Sequence, residues 1–450
     1  MQTENKNIAI VGAGLVGSLL SIYLIKRGYN VTVFERRANM RQHVLDAGRS
    51  INLALSNRGI RALEHVGLAS AMKKVAIPMH GRMIHNLKGD LTFQSYGNDG
   101  QFINSVSRSG LNMMLMEEAE KRGVHFFYEY KCEDIDFEKS EIKFQTYGSH
   151  MVRKFDLIIG ADGAFSAVRK AMEDKELTQC TIDELEHGYK ELRIPPSESG
   201  TFLLQKNALH IWPRESFMLI ALPNPDATFT CTLFLPVKGE VSFKKLKKKD
   251  DINTFFQTQF ADAVSLMPTL IEDFRDNSMA SLVTIRTYPW VANSTFLIGD
   301  AAHGIVPFYG QGMNAGFEDC FVLNELLEKH QDDWSKVLPE FQELRKPDND
   351  AIAQLALDNF VEMRDHVADE EFLLRKKIES RIHEKYPKDW IPLYSMVTFE
   401  ENMRYSEALA NGKLQQSIMD KVMSRPGIEN NWEEIDLKEI VDQLTALRTS

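Results

Sequence analysis

Residues 7–35, NIAIVGAGLVGSLLSIYLIKRGYNVTVFE, constrain the fold more than any other stretch of the chain. A short apolar run enters GAGLVG, a segment with helical apolar spacing follows, and a second strand-like run ends in Phe34 and Glu35. This is a βαβ unit of the kind that seats a dinucleotide. Gly12 allows the tight turn, Gly14 lets backbone approach a pyrophosphate, and Gly17 lets helix and strand pack closely. Glu35 stands where the acid that bonds a ribose hydroxyl is expected.

Beyond this unit the chain alternates. SNRGIRALEHVG and SRSGLNMMLMEEAEKRG read as helices, the second with a serine cap, while VHFFYEY and KFDLIIGADG read as strands. Between residues 200 and 236 the runs TFLLQ, ALHIW, FMLIALP and TFTCTLFLP predict short strands of an antiparallel sheet, entered through the linker IPPSESG (194–200). KKLKKKD (244–250) is a solvated turn or helix start. From about residue 280 strands again feed helices, and residues 340–445 read as mostly helical with an interruption at YPKDWIPLYS.

The 450 residues, 43% hydrophobic and 26% charged, suffice for two or three domains with real cores. A net charge of −11 argues against a basic face for nucleic acid. Cys132, Cys180, Cys231 and Cys320 are too scattered for a disulfide framework or zinc site, and no metal-ligand cluster is apparent. No secretory leader and no run of membrane-spanning length is visible, so a soluble cytoplasmic protein without a membrane anchor is expected.

Two later strand ends complete a pattern. LIIGADGAFSAVR (157–169) ends a strand at Asp162-Gly163, and FLIGDAAH (296–303) ends another at Gly299-Asp300. Ligands of open α/β sheets bind beyond the carboxyl ends of strands, so these segments and GAGLVG converge on one extended ligand. A second glycine loop, GDAAHGIVPFYGQGMN (299–314), then opens onto a helix.

With these GxGxxG, DG and GD motifs the chain resembles the single-component FAD-dependent aromatic hydroxylases typified by p-hydroxybenzoate hydroxylase. The stretches GRSINLALSNRG, GRMIH, SVSRSGLN, HGYKEL, ALHIWPR, FTCTLFLP, VPFYGQGMNAGFEDC and IPLYSMVTF are similar to those of the branch that hydroxylates kynurenine. The resemblance implies a Rossmann-like FAD-binding domain (1–75, 104–180 and 280–375), an inserted, mainly antiparallel substrate domain (76–103 and 181–279) and a helical C-terminal region (376–450). It implies non-covalent FAD, contacted by Val16, Phe34, Glu35, Arg36, Arg37, Ala54, Arg108, Cys132, Asp162 and Asp300. Backbone amides of Gly312, Met313 and Asn314 would meet the flavin ring edge, where a helix N-terminus favours negative charge. The two glycine loops would then serve opposite ends of one molecule.

On the substrate side the resemblance implies L-kynurenine, NADPH and O2, with oxygen delivered by a flavin hydroperoxide and no covalent nucleophile. Arg82 would take the substrate carboxylate, assisted by Tyr96 and Tyr394, with Asn359, Met363, Phe308 and Tyr309 as pocket walls. Asn359 shares a helical face with Leu355 and Met363, and a polar amide there wants a partner. Tyr309 departs from the phenylalanine or histidine of relatives, and the hydrophobic C-terminal segment of membrane-anchored eukaryotic relatives is not expected here. Ser166, His303 and Asp300 make no triad, since no G-x-S-x-G elbow is present. A monomer or homodimer is expected. Two other readings stay open: an FAD-dependent hydroxylase or reductase of another aromatic compound, and a non-enzymatic flavin-binding sensor.

Overall fold

The computed structural model describes residues 6–42, 52–97, 100–362 and 370–449. Its first sheet runs, in spatial order, β18 (Val291–Ala292), β19 (Thr295–Leu297), β12 (Leu157–Gly160), β1 (Asn7–Val11), β2 (Asn30–Glu35) and β8 (His125–Tyr128). From β19 to β8 the pairs are parallel, and only β18 runs against its neighbour. The strands read as continuous apolar runs because both faces are covered. Ile8, Ile10, Val33, Ile158 and Phe296 are fully buried with residues of helices Leu15–Lys26 and Gly312–Lys329.

Chain order reverses around β1, with β2 on one side and β12 on the other. The loops after β1, β12 and β19 and the end of β2 therefore meet at the carboxyl edge of one sheet, where such folds bind ligands. Ser107 caps the helix Arg108–Lys121 as expected, its hydroxyl accepting from Gly110 N–H at 3.2 Å.

The second large sheet has the order β17 (Ala280–Tyr288), β13 (Gln179–Ile194), β16 (Phe229–Pro236), β15 (Phe217–Pro223), β14 (Ala208–Arg214), β5 (Gly81–His85) and β6 (Leu91–Ser95). It is antiparallel except at β14 and β5, so a segment from early in the chain adds its edge. β17 pairs with β13, so the strand that follows residue 280, expected on the nucleotide-binding side, instead extends this second sheet. The run TFLLQ does not form the expected strand. Pro195 and Pro196 and the turn at Ser197–Gly200 carry the backbone off the ladder, and Phe202 and Leu204 pack on the sheet core unpaired.

Two small antiparallel sheets, β11 (Ser149–Lys154), β10 (Glu141–Thr146), β9 (Lys131–Asp136) and β3 (Asn52–Leu55), β7 (Ile103–Ser107), β4 (Ala76–Met79), complete the strands. Helices Trp334–Val361, Leu393–Thr398 and Tyr405–Met423 bring the C-terminal part of the chain back against the Gly312–Lys329 helix and the second sheet. Among the described residues no helix is long and apolar enough to cross a membrane.

Candidate cofactor and substrate site

The first glycine loop is shaped by backbone against backbone. Gly12 has φ +107°, and a Cβ there would lie 2.5 Å from the Ala161 carbonyl oxygen. A Cβ on Gly17 would lie 2.1 Å from the Gly12 oxygen. Around Gly14, by contrast, nothing comes within 4 Å of a Cβ position, which leaves an open cradle before the first turn of the helix Leu15–Lys26. Glu35 closes the side of the cradle. One carboxylate oxygen accepts from Ala13 N–H and the other from Arg37 N–H, both at 3.0 Å. Each oxygen keeps lone pairs for further donors.

Phe34 supports the loop from behind. Its carbonyl accepts from Gly12 N–H at 2.7 Å, while its ring is fully buried against Phe127 and Phe144. Arg36 and Arg37 are exposed beyond the strand end. Val16 joins the two glycine loops, its methyls filling the space beside Gly299 and Gly316.

The DG segment is built around a cap. The Asp162 carboxylate accepts from Ser166 Oγ, from Ala167 N–H at 2.6 Å and from Val168 N–H at 3.3 Å, which satisfies the start of the helix Ala167–Asp174. Burial raises its pKa against those bonds. Cys132 on β9 is buried, and burial, then the nearby Asp162 charge, pushes its thiol up. Arg108 is exposed on the first turn of its helix.

The second glycine loop is held by side chains. Gly299, at φ +61°, donates to Asp319 Oδ2 at 3.3 Å, and half-buried Asp300 opens the short helix Asp300–His303. Gly310 turns left-handed at φ +68° beside Ala54. Asn314 then pins the loop to β3 and to Ser56 just past its end. Its oxygen accepts from Ser56 N–H at 2.9 Å, and its nitrogen donates to the Ala54 and Gly310 carbonyls at 2.8 and 2.9 Å. The first amides of the helix Gly312–Lys329, those of Gly312, Met313 and Asn314, have no preceding turn to accept from them.

The candidate substrate residues form a second cluster. Tyr96, Tyr394 and Tyr309 stack in series, with ring centroids 5.4 and 5.6 Å apart. The Arg82 guanidinium lies 4.8 Å from the Tyr394 ring and 5.4 Å from that of Tyr96. Arg82 Nε and the Tyr96 hydroxyl are buried and have no hydrogen-bond partner among the described residues. Burial pushes all three tyrosine hydroxyls above their ordinary pKa. Asn359 donates to the Phe308 carbonyl at 2.7 Å, and Phe308 stacks on Phe360 at 4.3 Å. Met363 lies outside the described residues.

One feature at the site escaped the sequence reading: a buried polar network behind the second loop. Glu318 and Asp319, on the inner face of the Gly312–Lys329 helix, bind Arg58, Arg345 and His303 at 2.5–2.8 Å. The signal was the pair of acids in NAGFEDCFVLNELLEK, an otherwise apolar stripe. His303 and Ser166 are both engaged away from Asp300, consistent with the absence of a triad.

Residues 5–347 match the family model described as FAD binding domain, and the open cradle at Gly14, the Glu35 carboxylate and the two helix N-termini fit such a nucleotide. The class is thus that of FAD-binding proteins. Kynurenine 3-monooxygenase of Cytophaga hutchinsonii is 49% identical over 98% of this chain and 99% of its own, and that of Dictyostelium discoideum 43% identical over 98% and 97%. Within that class the chain belongs to the kynurenine 3-monooxygenase family. Solved structures share the fold at low identity. A 2-methyl-3-hydroxypyridine-5-carboxylic acid oxygenase aligns at TM-score 0.66, 19% identity, over 81% of this chain and 94% of its own. The tetracycline destructase Tet(51) aligns at 0.62, 16% identity, over 90% and 99%.

Proposed function

We infer that this protein is an FAD-dependent monooxygenase that converts L-kynurenine, NADPH, a proton and O2 into 3-hydroxy-L-kynurenine, NADP+ and water. The observation that carries the substrate is Arg82. Arg82 is half-buried with its Nε fully buried, and a cation so placed without a carboxylate partner among the described residues is costly alone; an amino-acid carboxylate would satisfy it. Tyr96 and Tyr394 offer hydroxyls beside it, Asn359 an amide, and Phe308 and Tyr309 an apolar wall suited to an aromatic ring.

FAD supplies the redox and oxygen chemistry when bound. The chain holds it through the Gly12–Gly17 loop, Glu35 toward ribose hydroxyls and the Gly312, Met313 and Asn314 amides toward the electron-rich ring edge. Val16, Phe34, Arg36, Arg37, Ala54, Arg108, Cys132, Asp162 and Asp300 complete the contacting set in this reading, Phe34 by shaping the loop rather than by touching the nucleotide. The division at 1–75, 104–180 and 280–375, with 76–103 and 181–279 on the substrate side and 376–450 as the helical region, is proposed with it. The buried aromatic stack keeps water from the substrate ring.

The test is aerobic NADPH oxidation by the FAD-loaded protein with L-kynurenine, with 3-hydroxykynurenine and hydrogen peroxide measured in the same samples. Product equal to NADPH consumed is expected. Absence of any kynurenine-dependent oxidation overturns the substrate. Arg82→Ala should raise KM about 10- to 100-fold, the weight of a charge-assisted pair, with the flavin spectrum unchanged.

A further inference from the structure

The second glycine loop is fastened at both ends to the buried polar network, and one fastening comes from beyond the FAD binding domain match. Tyr405 opens the helix Tyr405–Met423, is fully buried, and donates its hydroxyl to Gln311 Oε1 at 2.9 Å. Ser56 Oγ approaches the same oxygen at 3.4 Å. Gln311 immediately precedes Gly312, Met313 and Asn314, and its Nε2 finds no acceptor among the described residues.

The amide's orientation depends on those two hydroxyls, because oxygen and nitrogen of a glutamine side chain have nearly the same shape. Tyr405 is biased toward donating. The Arg58 guanidinium lies 4.1 Å over its ring, and a cation there draws electron density from the phenol and strengthens it as a donor. Arg58 is itself fixed by Glu318 Oε1 at 2.7 Å and the Val397 carbonyl at 2.8 Å. Glu318 Oε2 accepts from Arg345 at 2.8 Å, Arg345 donates to Asp319 at 2.8 Å, and Asp319 receives His303 and Gly299 N–H. The chain of contacts therefore runs from Gly299 to Gln311 without crossing the ligand space.

We propose that Tyr405 is a positioning residue: by fixing the Gln311 amide it lets the C-terminal region set the geometry of the loop that meets the flavin ring. This rests on the assignment of the Gly312–Asn314 amides to the ring edge. Tyr405 touches neither cofactor nor substrate in it. Its hydroxyl keeps the amide oxygen turned toward Tyr405 and Ser56 and the amide nitrogen available as a donor on the other side. Loss of that hydroxyl lets the amide turn and the loop relax.

Tyr405→Phe tests this, since it keeps the ring under Arg58 and removes only the O–H. The expected outcome is a shifted flavin absorption and fluorescence spectrum and a rise of about five-fold in peroxide released per NADPH, the weight of one hydrogen bond. KM for kynurenine should stay within about two-fold. Ser417→Ala, on the same helix but outside the polar network, with its hydroxyl on the Leu414 carbonyl at 2.9 Å, should change neither. A Tyr405→Phe protein with native spectrum and native peroxide ratio overturns the proposal, as does an equal effect in Ser417→Ala. Should Tyr405→Phe fail to fold, Gln311→Met removes the amide that Tyr405 holds, and a native spectrum and peroxide ratio there are equally fatal. The spectral comparison needs no turnover, so an enzyme inactive on kynurenine would sink the substrate reading while leaving this one decidable.

Discussion

The loop Gly12–Gly17 and the loop Gly299–Asn314 sit at the carboxyl edge of the same sheet and are built by opposite means. In the first, missing side chains decide the shape: Gly17 lies against the Gly12 carbonyl and Gly12 against Ala161. In the second, buried polar side chains decide it, with Asn314, Gln311 and Asp319 tied to Ser56, Tyr405, His303 and Arg345. The difference is one of kind. Backbone packing acts by excluded volume, Gly17 on a neighbour in the same loop and Gly12 on the end of β12, whereas the polar clamp acts through paired side chains drawn from several helices. The first loop should therefore fail through steric clash and the second through orphaned polar groups.

The largest effect is expected from Gly17→Ala. Its Cβ would stand 2.1 Å from a backbone oxygen, and no rotamer relieves that contact. A loss beyond about 4 kcal/mol follows, in the range that unfolds a marginal protein. Urea denaturation of the apoprotein checks it, and a midpoint like that of the native chain would show that the loop is not held by close packing.

Asp319→Asn comes next and attacks the other loop. Asp319 is fully buried and accepts from His303 and from Arg345, so neutralising it strands the His303–Arg345 side of the network at about 3 kcal/mol. The same carboxylate gives a pH signature. Burial pushes its pKa up, but His303 and Arg345 prevail and hold it well below the usual range. Its folded pKa is thus depressed, so its stabilisation is complete above the unfolded value of about 4 and is lost as pH falls from there. Native protein should lose stability more steeply below about pH 4 than Asp319→Asn does. Urea midpoints on either side of that pH test it, and parallel curves would remove Asp319 from the account.

This contrast also marks what was legible beforehand. β1, β2 and the helix between them follow from apolar runs and a glycine loop in which Gly17 packs directly on Gly12, and the Glu35 carboxylate reaches the Ala13 amide from the strand end. Ser107 as a cap is equally local. The strand ends at Asp162 and Asp300 were readable as positions, but that the Asp162 carboxylate caps the next helix depends on how the chain turns after it. TFLLQ has strand composition and no ladder to join, and the sheet β9–β11 carries too few fully apolar positions to announce itself. Gln311, Arg58 and Tyr405 carried no signal at all, since their meaning lies in partners hundreds of residues apart or nearly so.

Asn314→Ala sharpens the comparison at an intermediate size. The side chain joins Ser56 N–H, the Ala54 carbonyl and the Gly310 carbonyl, and truncation leaves buried backbone groups without partners. A loss of about 2 kcal/mol is expected, since three modest bonds go and one or two groups are orphaned. Thermal unfolding measures it. An effect as large as that of Gly17→Ala would mean that the second loop, too, is governed by close packing, because the Asn314 oxygen lies only 2.5 Å from a Cβ built on Gly59 and the pair would then be a steric unit.

The smallest effect on stability belongs to Gly14→Ala, and it separates shape from function within the first loop. Gly14 has φ −76° and ψ −178°, an ordinary extended conformation, and nothing stands within 4 Å of its Cβ position. Folding therefore has little reason to demand glycine, and the apoprotein should lose less than about 1 kcal/mol. The empty space is where a pyrophosphate approaches the backbone, so FAD affinity should fall by about ten-fold or more while the unfolding curve barely moves. Titration of apoprotein with FAD, followed by flavin fluorescence, reads the affinity directly. Were Gly14→Ala to bind FAD as tightly as the native chain, the cradle would have to open on another side, and the assignment of the first loop to the nucleotide's phosphates would fail even though Gly12 and Gly17 still explained its shape.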